Sequence, residues 1–490
     1  MSVRACAFAL LFVSCLSACG GGGGSGTSLS VTATSVSVTA DTRADAPRAA
    51  VKGSLSQVPD REIYIYILHT DTALAGASFD IETERGGTLH MNFRDPDLLG
   101  PGIHRDTVSL SVCYDTDCRS QVSGSPKTIA VTYTVTGDPA PPPEPALGTT
   151  RPMPDGGVMP ISSTHVLAYN VVDAEYSKAL DAIVFVSSSP GPALHLYNPL
   201  TGTGRSMSLP EAPLHVSVSP DGLSANVALI GSVSHIDLSQ VGPEAVPSRI
   251  FYTGGSSSDI VTDGFSRAHV FAGNLYTINS ATGSAGRLPY SVYGGMKARM
   301  SPSGNAIYST STSLSPEDLY RFTDQNGVIT SSRDSPYHGG GYDMCGNLWL
   351  SANGKRIYTA CGSTYRASDF KSQDMTYMGR MESYGLAFYG LRIVSLEDSA
   401  QAGELALIEG IQRKEDCGVY YRECPSRLSL YENQGLTPIA SYSIPDAMID
   451  GEAQPRTALY VFYSADGSRK YVVAWRFPGT VHEVLTVIAP

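Results

Sequence analysis

A short pattern, serine followed three residues later by glycine, recurs along the C-terminal two thirds of this 490-residue chain. Its clear copies, each after a run of strand-forming residues, are Ser219-Pro-Asp-Gly222, Ser301-Pro-Ser-Gly304, Ser351-Ala-Asn-Gly354 and Ser464-Ala-Asp-Gly467. In the last three copies a tyrosine stands four residues past the glycine: Tyr308, Tyr358 and Tyr471. The pattern predicts a hairpin whose glycine takes a positive φ in the turn and whose tyrosine lies on the return strand.

Weaker copies of the hairpin lie near Lys178, at Asp263-Gly264 and near Gly403, which gives seven copies spaced roughly 40 to 64 residues apart. A repeat of this length with four strands per unit indicates a β-propeller, because one blade cannot bury both of its faces alone. We therefore expect an all-β fold with a seven-bladed propeller over residues 161–490. Residues 164–171 and 480–487 are expected to share the closing blade and so to remove open sheet edges.

The S-P-D-G hairpin followed by a tyrosine strand resembles the YVTN family of propellers, which includes lactonase-like members. The likeness covers about seventy percent of the chain and implies a seven-bladed fold. It implies little about function, because propellers host binding, scaffolding and catalysis alike.

A smaller domain precedes the propeller. Alternating strand-forming runs fill residues 29–137, which is the size of an immunoglobulin-like β-sandwich. A proline-rich stretch over 138–160 reads as a semi-rigid linker. The segment from Gly102 to Cys113, with Cys118 and the strand 131–135, resembles the bacterial Ig-like modules called BACON. That resemblance implies either a carbohydrate-contacting module or a spacer, and we favour the spacer.

The N-terminus has the pattern of a secretory signal over residues 1–18. Arg4 precedes an apolar run, and Leu16-Ser-Ala-Cys19 ends it just before a glycine-rich tether over 19–28. This arrangement resembles a bacterial lipobox, which implies that Cys19 is acylated and holds the protein at the outer membrane by its lipid. The alternative is an ordinary signal peptide in which the cysteine has no role.

Six further cysteines are close neighbours in sequence, and proximity favours the pairs Cys113/Cys118, Cys345/Cys361 and Cys417/Cys424. None of the spacings is CxxC, so we discount a metal or redox role for them. For the second pair a hairpin register follows from a three-residue loop, Ala352 to Gly354. Counting outward from that loop opposes Ser351 with Lys355, Trp349 with Ile357, Asn347 with Thr359, and Cys345 with Cys361.

The sequence contains no compact catalytic motif. His338-Gly-Gly-Gly341 matches an esterase oxyanion loop but lacks a G-x-S-x-G partner, so a glycine-rich loop between blades is the better interpretation. Metal ligands for a lactonase-like site would have to come from Glu175, Asp181, His215, His235, Asp263, His269 and Asp343, whose spacing does not say that they converge. Seven tyrosines have two interpretations, either aromatic contacts for a sugar or peptide or core packing between blades. They are Tyr290, Tyr293, Tyr337, Tyr342, Tyr377, Tyr384 and Tyr389.

We therefore expect a lipid-anchored envelope protein whose propeller binds protein or glycan without catalysis, with no cofactor and no metal site. A lactonase-like hydrolase is the first alternative, and a factor that assists outer-membrane assembly is the second. The formal net charge of −12 and the lack of basic clusters make nucleic acid a poor partner.

The lipid anchor gives a direct test. We predict that Cys19→Ser moves the protein from the membrane fraction to the aqueous fraction, because stable anchoring needs the acyl chains. Fractionation and the mass of the N-terminal peptide measure this. The lipobox interpretation is wrong if the variant still sediments with membranes and the wild-type peptide carries no acyl mass.

Overall fold

Strands make up nearly all of the regular structure in the computed structural model. It describes residues 26–147, 151–312, 314–338, 341–381, 392–410, 426–476 and 481–488. The chain divides into two compact units, Met1–Pro143 with Ser368–Asp374, and Glu144–Ala367 with Met375–Pro490. No helix in these ranges has the length and apolar character needed to span a bilayer. Residues 1–18, Cys19, Cys417, Cys424, Tyr384 and Tyr389 lie outside the described residues.

The first unit consists of two four-stranded sheets. One has the strand order β1 (Leu29–Val31), β3 (Arg48–Leu55), β6 (Gly86–Phe93) and β5 (Leu74–Thr83). The other has the order β2 (Ser35–Asp41), β8 (Lys127–Thr136), β7 (Gly102–Cys113) and β4 (Tyr64–His69), and the helix α1 spans Pro96–Leu99. Only β2 and β8 pair in parallel within these two sheets.

Alternating side chains of both sheets form one core in this unit. Along β8, Val131, Tyr133 and Val135 are buried, and they join Leu89 and Met91 of the other sheet in a single hydrophobic cluster. Period-two alternation is what buries one face of each sheet. The disulfide Cys113–Cys118 forms at the end of β7, with its Cα atoms 5.0 Å apart, as the spacing predicted.

The second unit contains seven sheets of four or five strands in its described part. In chain order the first four are β11 (Asp173–Ser177), β12 (Ala182–Ser187), β13 (Ala193–Asn198), β14 (Thr203–Ser208); β15 (His215–Val218), β16 (Ser224–Leu229), β17 (Ser232–Asp237), β18 (Ser248–Phe251); β19 (Asp259–Thr262), β20 (Arg267–Phe271), β21 (Asn274–Asn279), β22 (Ser284–Ser291); and β23 (Lys297–Met300), β24 (Ala306–Thr310), β25 (Leu319–Gln325), β26 (Val328–Asp334). A 3₁₀ turn spans Leu238–Gln240.

The remaining three sheets include two strands from the N-terminal end of this unit. They are β27 (Leu348–Leu350), β28 (Arg356–Thr359), β29 (Ser363–Arg366), β30 (Tyr377–Arg380); β31 (Arg392–Ser399), β32 (Glu404–Gly410), β33 (Arg427–Glu432), β34 (Pro438–Ser443), β9 (Asp155–Val158); and β10 (Ile161–Val166), β39 (His482–Ile488), β38 (Arg469–Arg476), β37 (Arg456–Tyr463). A separate two-stranded hairpin consists of β35 (Ala447–Ile449) and β36 (Glu452–Gln454).

Each sheet shares a hydrophobic core with the next one along the chain. Val186 of the first sheet and Val227 of the second are in one cluster, and five further clusters join the following neighbours in order. A seventh cluster joins Phe462 of the last sheet to Phe185 of the first. Sheets that pack face to face in sequence order, with the last against the first, form a β-propeller.

The last sheet is built from both ends of the unit, as the sequence predicted. Strand β10 pairs with β39 in an antiparallel register that places Thr164 opposite Leu485. The N-terminal strand begins earlier than expected, at Ile161. Part of the predicted linker over 138–160 also joins a sheet, because β9 pairs in parallel with the outer edge of β34.

All seven predicted turns lie where expected, between two neighbouring antiparallel strands of one sheet. In each case the first of these strands lies at an edge of its sheet: β11, β15, β19, β23, β27, β31 or β37. Gly222, Gly304, Gly354 and Gly467 have φ between 69° and 75°, so the predicted positive φ is confirmed. The tyrosines that follow the last three of these glycines, Tyr308, Tyr358 and Tyr471, are buried, with at most 2% of their surface exposed. They are core residues of the propeller.

The predicted register of the Cys345/Cys361 hairpin is wrong by one residue. Strand β27 pairs Trp349 with Tyr358, where the sequence interpretation placed Ile357. The reason is the serine side chain: Ser351 Oγ accepts hydrogen bonds from the backbone N–H groups of Lys355 and Arg356 at 3.1 and 2.9 Å. This closes a loop of four residues instead of three.

The disulfide of this hairpin forms in spite of the shifted register. The Cα atoms of Cys345 and Cys361 lie 5.6 Å apart. The backbone before β27 departs from the regular ladder, since the N–H of Ala360 contacts the carbonyls of both Cys345 and Asn347, at 3.1 and 2.9 Å. The pairing was therefore predicted correctly from proximity, although the register that was to explain it was not.

The turn glycines give a stability prediction. Gly304→Ala should lower the free energy of unfolding by about 1–2 kcal/mol, the cost of a left-handed Cβ residue, because the new Cβ meets no atom within 4 Å. Gly222→Ala should cost more, since its Cβ would lie 3.0 Å from Ala179 Cβ and Ser177 Oγ. Chemical denaturation measures both. Gly286→Ala, in an open position without positive φ, is the control, and equal losses in all three variants would contradict this account.

Candidate functional site: the central cavity

A cavity of about 630 Å³ is lined by the innermost strands of the second unit. Residues of β11, β15, β19, β23, β27, β31 and β37 or next to them all contribute to its wall. Each of these strands lies at one edge of its sheet and pairs with a single neighbour. An edge strand leaves every second backbone N–H without a partner in the ladder, so these groups need other acceptors.

Side chains of neighbouring sheets supply those acceptors. The N–H groups of Val216 and Val218, on β15, donate to Asp173 Oδ2 and Glu175 Oε2 of β11, at 3.0 and 2.6 Å. The same kind of contact continues around the cavity between other neighbours: Thr262 N to Ser217 Oγ (3.0 Å), Ala298 N to Asp259 Oδ2 (2.9 Å), Ala352 N to Asp398 Oδ2 (2.8 Å) and Val461 N to Ser395 Oγ (3.1 Å). We call these contacts the inter-sheet caps.

Two aspartates accept backbone N–H groups both from their own strand and from the following sheet. Asp173 and Asp259 begin their strands, and each accepts the N–H of the next residue through Oδ1 and an N–H of the following sheet through Oδ2. Asn347 accepts the N–H of Leu348 in the same manner. A polar residue directly before a short buried strand was the available sequence signal for this role, and the sequence interpretation did not single out Asp173 or Asp259.

Acidic and basic side chains alternate on the cavity wall. The ion pairs join Arg299 to Asp259 (3.2 Å), His215 to Asp173 (3.6 Å) and Lys178 to Glu397 (3.3 Å). Burial opposes the charge on Arg299, but Asp259 and Glu175 outweigh it and raise the pKa of the guanidinium. Burial also raises the pKa of Glu397. The lining is therefore a balanced charge network that already uses its own polar atoms.

The carboxyl group of Glu175 belongs to this network and has a strongly raised pKa. Burial raises its pKa to about 8, and although Arg299 and the Val218 N–H act in the opposite direction they do not compensate. A carboxyl group with a pKa near neutrality inside a cavity is typical of functional sites, but it also occurs in structural networks.

The predicted metal-ligand candidates do not converge on one site. Glu175 and His215 line the cavity. Asp263 and His269 meet elsewhere, together with Asp324, in a fully buried cluster. The others have separate partners: Asp181 accepts the Ala465 N–H at 2.9 Å, His235 Nδ1 lies 3.1 Å from Asn226 Oδ1, and Asp343 lies 3.3 Å from Arg380.

The tyrosines that the sequence singled out do not form one site either. Tyr337 and Tyr342 stack with ring centroids 4.0 Å apart, and Tyr377 packs edge-on against Tyr342 at 5.1 Å. These three rings pack onto the hydrophobic core between the fourth and fifth sheets. Tyr290 packs onto the preceding core, while Tyr293 keeps 42% of its surface exposed.

His338 lies in the connection between β26 and β27, as expected for a loop between blades. Its Nδ1 is 3.0 Å from Asp318 Oδ2, and the side chain is largely exposed. Gly339 and Gly340 lie outside the described residues.

Comparison with known proteins gives no family for this chain. No protein-family model matches this sequence, and no curated protein matches it. Among solved structures, the chain is similar to the β-propeller domain of Cps50 (Swd1) from Myceliophteria thermophila, with 11% sequence identity and a TM-score of 0.47. The match covers 66% of this chain and 99% of that one. The sheets and their shared cores define the class: an all-β protein whose larger unit is a β-propeller.

The raised pKa of Glu175 gives a pH prediction. Its folded pKa of about 8 exceeds the usual value of 4.5, so the folded state binds the extra proton between these values and loses stability as the pH rises through this window. Glu175→Gln abolishes that loss. The difference in unfolding free energy, variant minus wild type, should increase from pH 5 to pH 8 by up to about 1.4 kcal/mol per pH unit.

Denaturation curves of both proteins between pH 5 and pH 9 measure this difference, in which the other titrating groups largely cancel. A difference that stays constant with pH, or one that falls as the pH rises, would show that Glu175 is ionised in the folded protein like an ordinary surface carboxylate.

Proposed function

We propose that this protein is a lipid-anchored envelope protein whose propeller binds a protein partner on one face without catalysis. The proposed parts are an acylated Cys19, an Ig-like sandwich over 29–137 that acts as a spacer, and a seven-bladed propeller of YVTN type at the outer membrane. Support for seven blades comes from the seven sheets, the seven shared cores and the seven strands that line one cavity.

The proposed binding surface is the face that carries the first and third turns of each sheet, which we call the turn face. In a sheet of four antiparallel strands, the first and third turns lie at the same end. On this face Leu200, Leu223, Val246, Phe265 and Val328 each expose between 45% and 86% of their surface. Phe265 lies directly beside Gly327, the residue before Val328.

These exposed side chains are the observation that carries the proposal. Exposed aliphatic side chains on one face, together with an exposed phenylalanine, are typical of surfaces that bury against a protein. A glycan would favour aromatic rings with polar tips, so glycan is the second choice of ligand. Carboxylate oxygens of the cavity residues Asp173, Glu175 and Asp259 already accept the N–H groups of the inter-sheet caps, which favours the outer surface over the cavity as the place where a partner binds.

A lactonase-like hydrolase remains the second candidate, and one observation favours it. Glu175 and His215, both considered as ligands from the sequence, line one cavity together with Asp173 and Asp259. Calcium prefers such oxygen-rich sites. The aspartate oxygens nevertheless accept backbone N–H groups, so a metal would have to compete with the contacts that join the sheets.

The test compares two matched double variants of the mature protein, both carrying Cys19→Ser so that they stay in aqueous solution. Phe265→Ser with Val328→Ser removes apolar groups from the turn face. Ile230→Ser with Phe251→Ser removes groups of similar exposure, 63% and 65%, from the opposite face. Surface changes of this kind leave stability within about 0.5 kcal/mol, so both should fold.

We expect the first double variant to recover at least tenfold less of the partner from envelope extracts, with binding unchanged in the second. Equal recovery by both variants would contradict the turn face as the binding surface. Calcium-dependent hydrolysis of lactones or esters that Glu175→Gln abolishes would overturn the non-catalytic proposal in favour of the hydrolase.

A further inference from the structure

The most unusual polar cluster in the described residues lies between the third and fourth sheets. Asp263 follows β19, His269 lies on β20 and Asp324 lies on β25. All three side chains have no exposed surface. Their ligand atoms lie within 4.8 Å of one another. Strands from two different sheets thus bring two carboxylates and one imidazole to a single buried point.

The distances in this cluster are too long for strong hydrogen bonds. His269 Nε2 lies 3.4 Å from Asp263 Oδ2 and 3.5 Å from Asp324 Oδ2. A charged imidazole bound to a carboxylate normally has a separation of about 2.7–2.9 Å. Asp324 Oδ2 has no hydrogen-bond partner although it is buried, and an unpaired buried carboxylate oxygen is costly.

The same distances fit ligands around a tetrahedral ion. Zinc lies about 2.0–2.2 Å from histidine nitrogen and carboxylate oxygen. In a tetrahedron of that size, two ligand atoms are about 3.3–3.6 Å apart. Both separations from His269 Nε2 fall within that range, and the two aspartate oxygens lie within 4.8 Å of each other, so the three ligand atoms are close enough to bind one ion.

The charge of the cluster and the contact that His269 makes with Thr277 favour the same occupant. Two carboxylates and one histidine carry a net negative charge in a fully buried place whether or not the histidine is protonated, and a divalent cation with neutral histidine cancels it. His269 Nδ1 lies 3.1 Å from Thr277 Oγ1. Histidines that bind metals usually donate the other ring N–H to such a partner, which leaves Nε2 free for the ion.

We propose that Asp263, His269 and Asp324 bind one zinc-type divalent metal ion that joins the third and fourth sheets. The site has a structural role, because its ligands are closed off from solvent and a substrate has no access. From the sequence we expected no metal site, and this site does not depend on the partner proposed for the turn face.

The chain offers a matched control. Asp318, Asp334 and His338 also form a group of two carboxylates and one histidine, but Asp334 and His338 are exposed. The full-length mature protein with Cys19→Ser is equilibrated with Zn²⁺, desalted and analysed for metal. We expect about one equivalent of zinc in this protein and in Asp334→Asn, and less than a tenth of an equivalent in Asp324→Asn.

Thermal melting gives the second readout. Removal of zinc by a chelator should lower the Tm of the parent protein, and added Zn²⁺ should restore it. Thr277→Val keeps all three ligands and should weaken zinc binding by about 10- to 100-fold, which keeps the proposal testable if Asp324→Asn does not fold. The proposal is overturned if the parent protein retains no zinc and its Tm does not change when Zn²⁺ is added. It is also overturned by full zinc retention in Asp324→Asn or by an unchanged zinc affinity in Thr277→Val.

Discussion

The backbone N–H groups on the inner edge of each propeller sheet are the constraint on which the rest of this structure depends. A propeller places one edge strand of each sheet at its centre, where no further strand can pair with it. Buried or half-buried N–H groups without acceptors would each cost roughly 1–3 kcal/mol. The inter-sheet caps solve this with side chains from the neighbouring sheet, such as Asp173 for Val216 and Ser395 for Val461.

This solution determines the electrostatics of the cavity. Capping with carboxylates brings negative charge into a partly desolvated place, where Arg299 pairs with Asp259 and Lys178 pairs with Glu397. Because the charges and hydrogen bonds serve the joints between sheets, the cavity is best explained as part of the scaffold. Under the proposed function, recognition of a partner falls to the exposed turns, where a side chain can change without disturbing the caps.

The sequence predicted what local chemistry decides. Three features follow from the repeat in the amino-acid sequence. They are the turn glycines with positive φ, the buried tyrosines on the return strands and the pairing of the two ends of the unit. The hairpin register of Cys345 and Cys361 could not be predicted in the same way. The register depends on whether the Ser351 hydroxyl accepts a hydrogen bond from one or from two of the following backbone N–H groups. The same sequence is compatible with a loop of three residues and with a loop of four.

The candidate site was less predictable, because its members meet only after the sheets have packed. Asp173 and Asp259 lie 86 residues apart in the chain, and no local pattern says that both face one cavity. His269 and Asp324 likewise come from different sheets. The sequence could identify such residues as candidates by type, but their grouping depends on inter-sheet geometry that a single sequence does not contain.

Hydrogen–deuterium exchange at single-residue resolution on the mature protein tests the capping account most directly. The N–H groups of Val216, Val218, Thr262, Ala298 and Val461 should exchange as slowly as those of the second and third strands of the same sheets, because opening them requires the sheets to separate. Exchange of these five groups at the rate of unprotected amides, while the second and third strands stay protected, would contradict the claim that side-chain caps hold the sheets together.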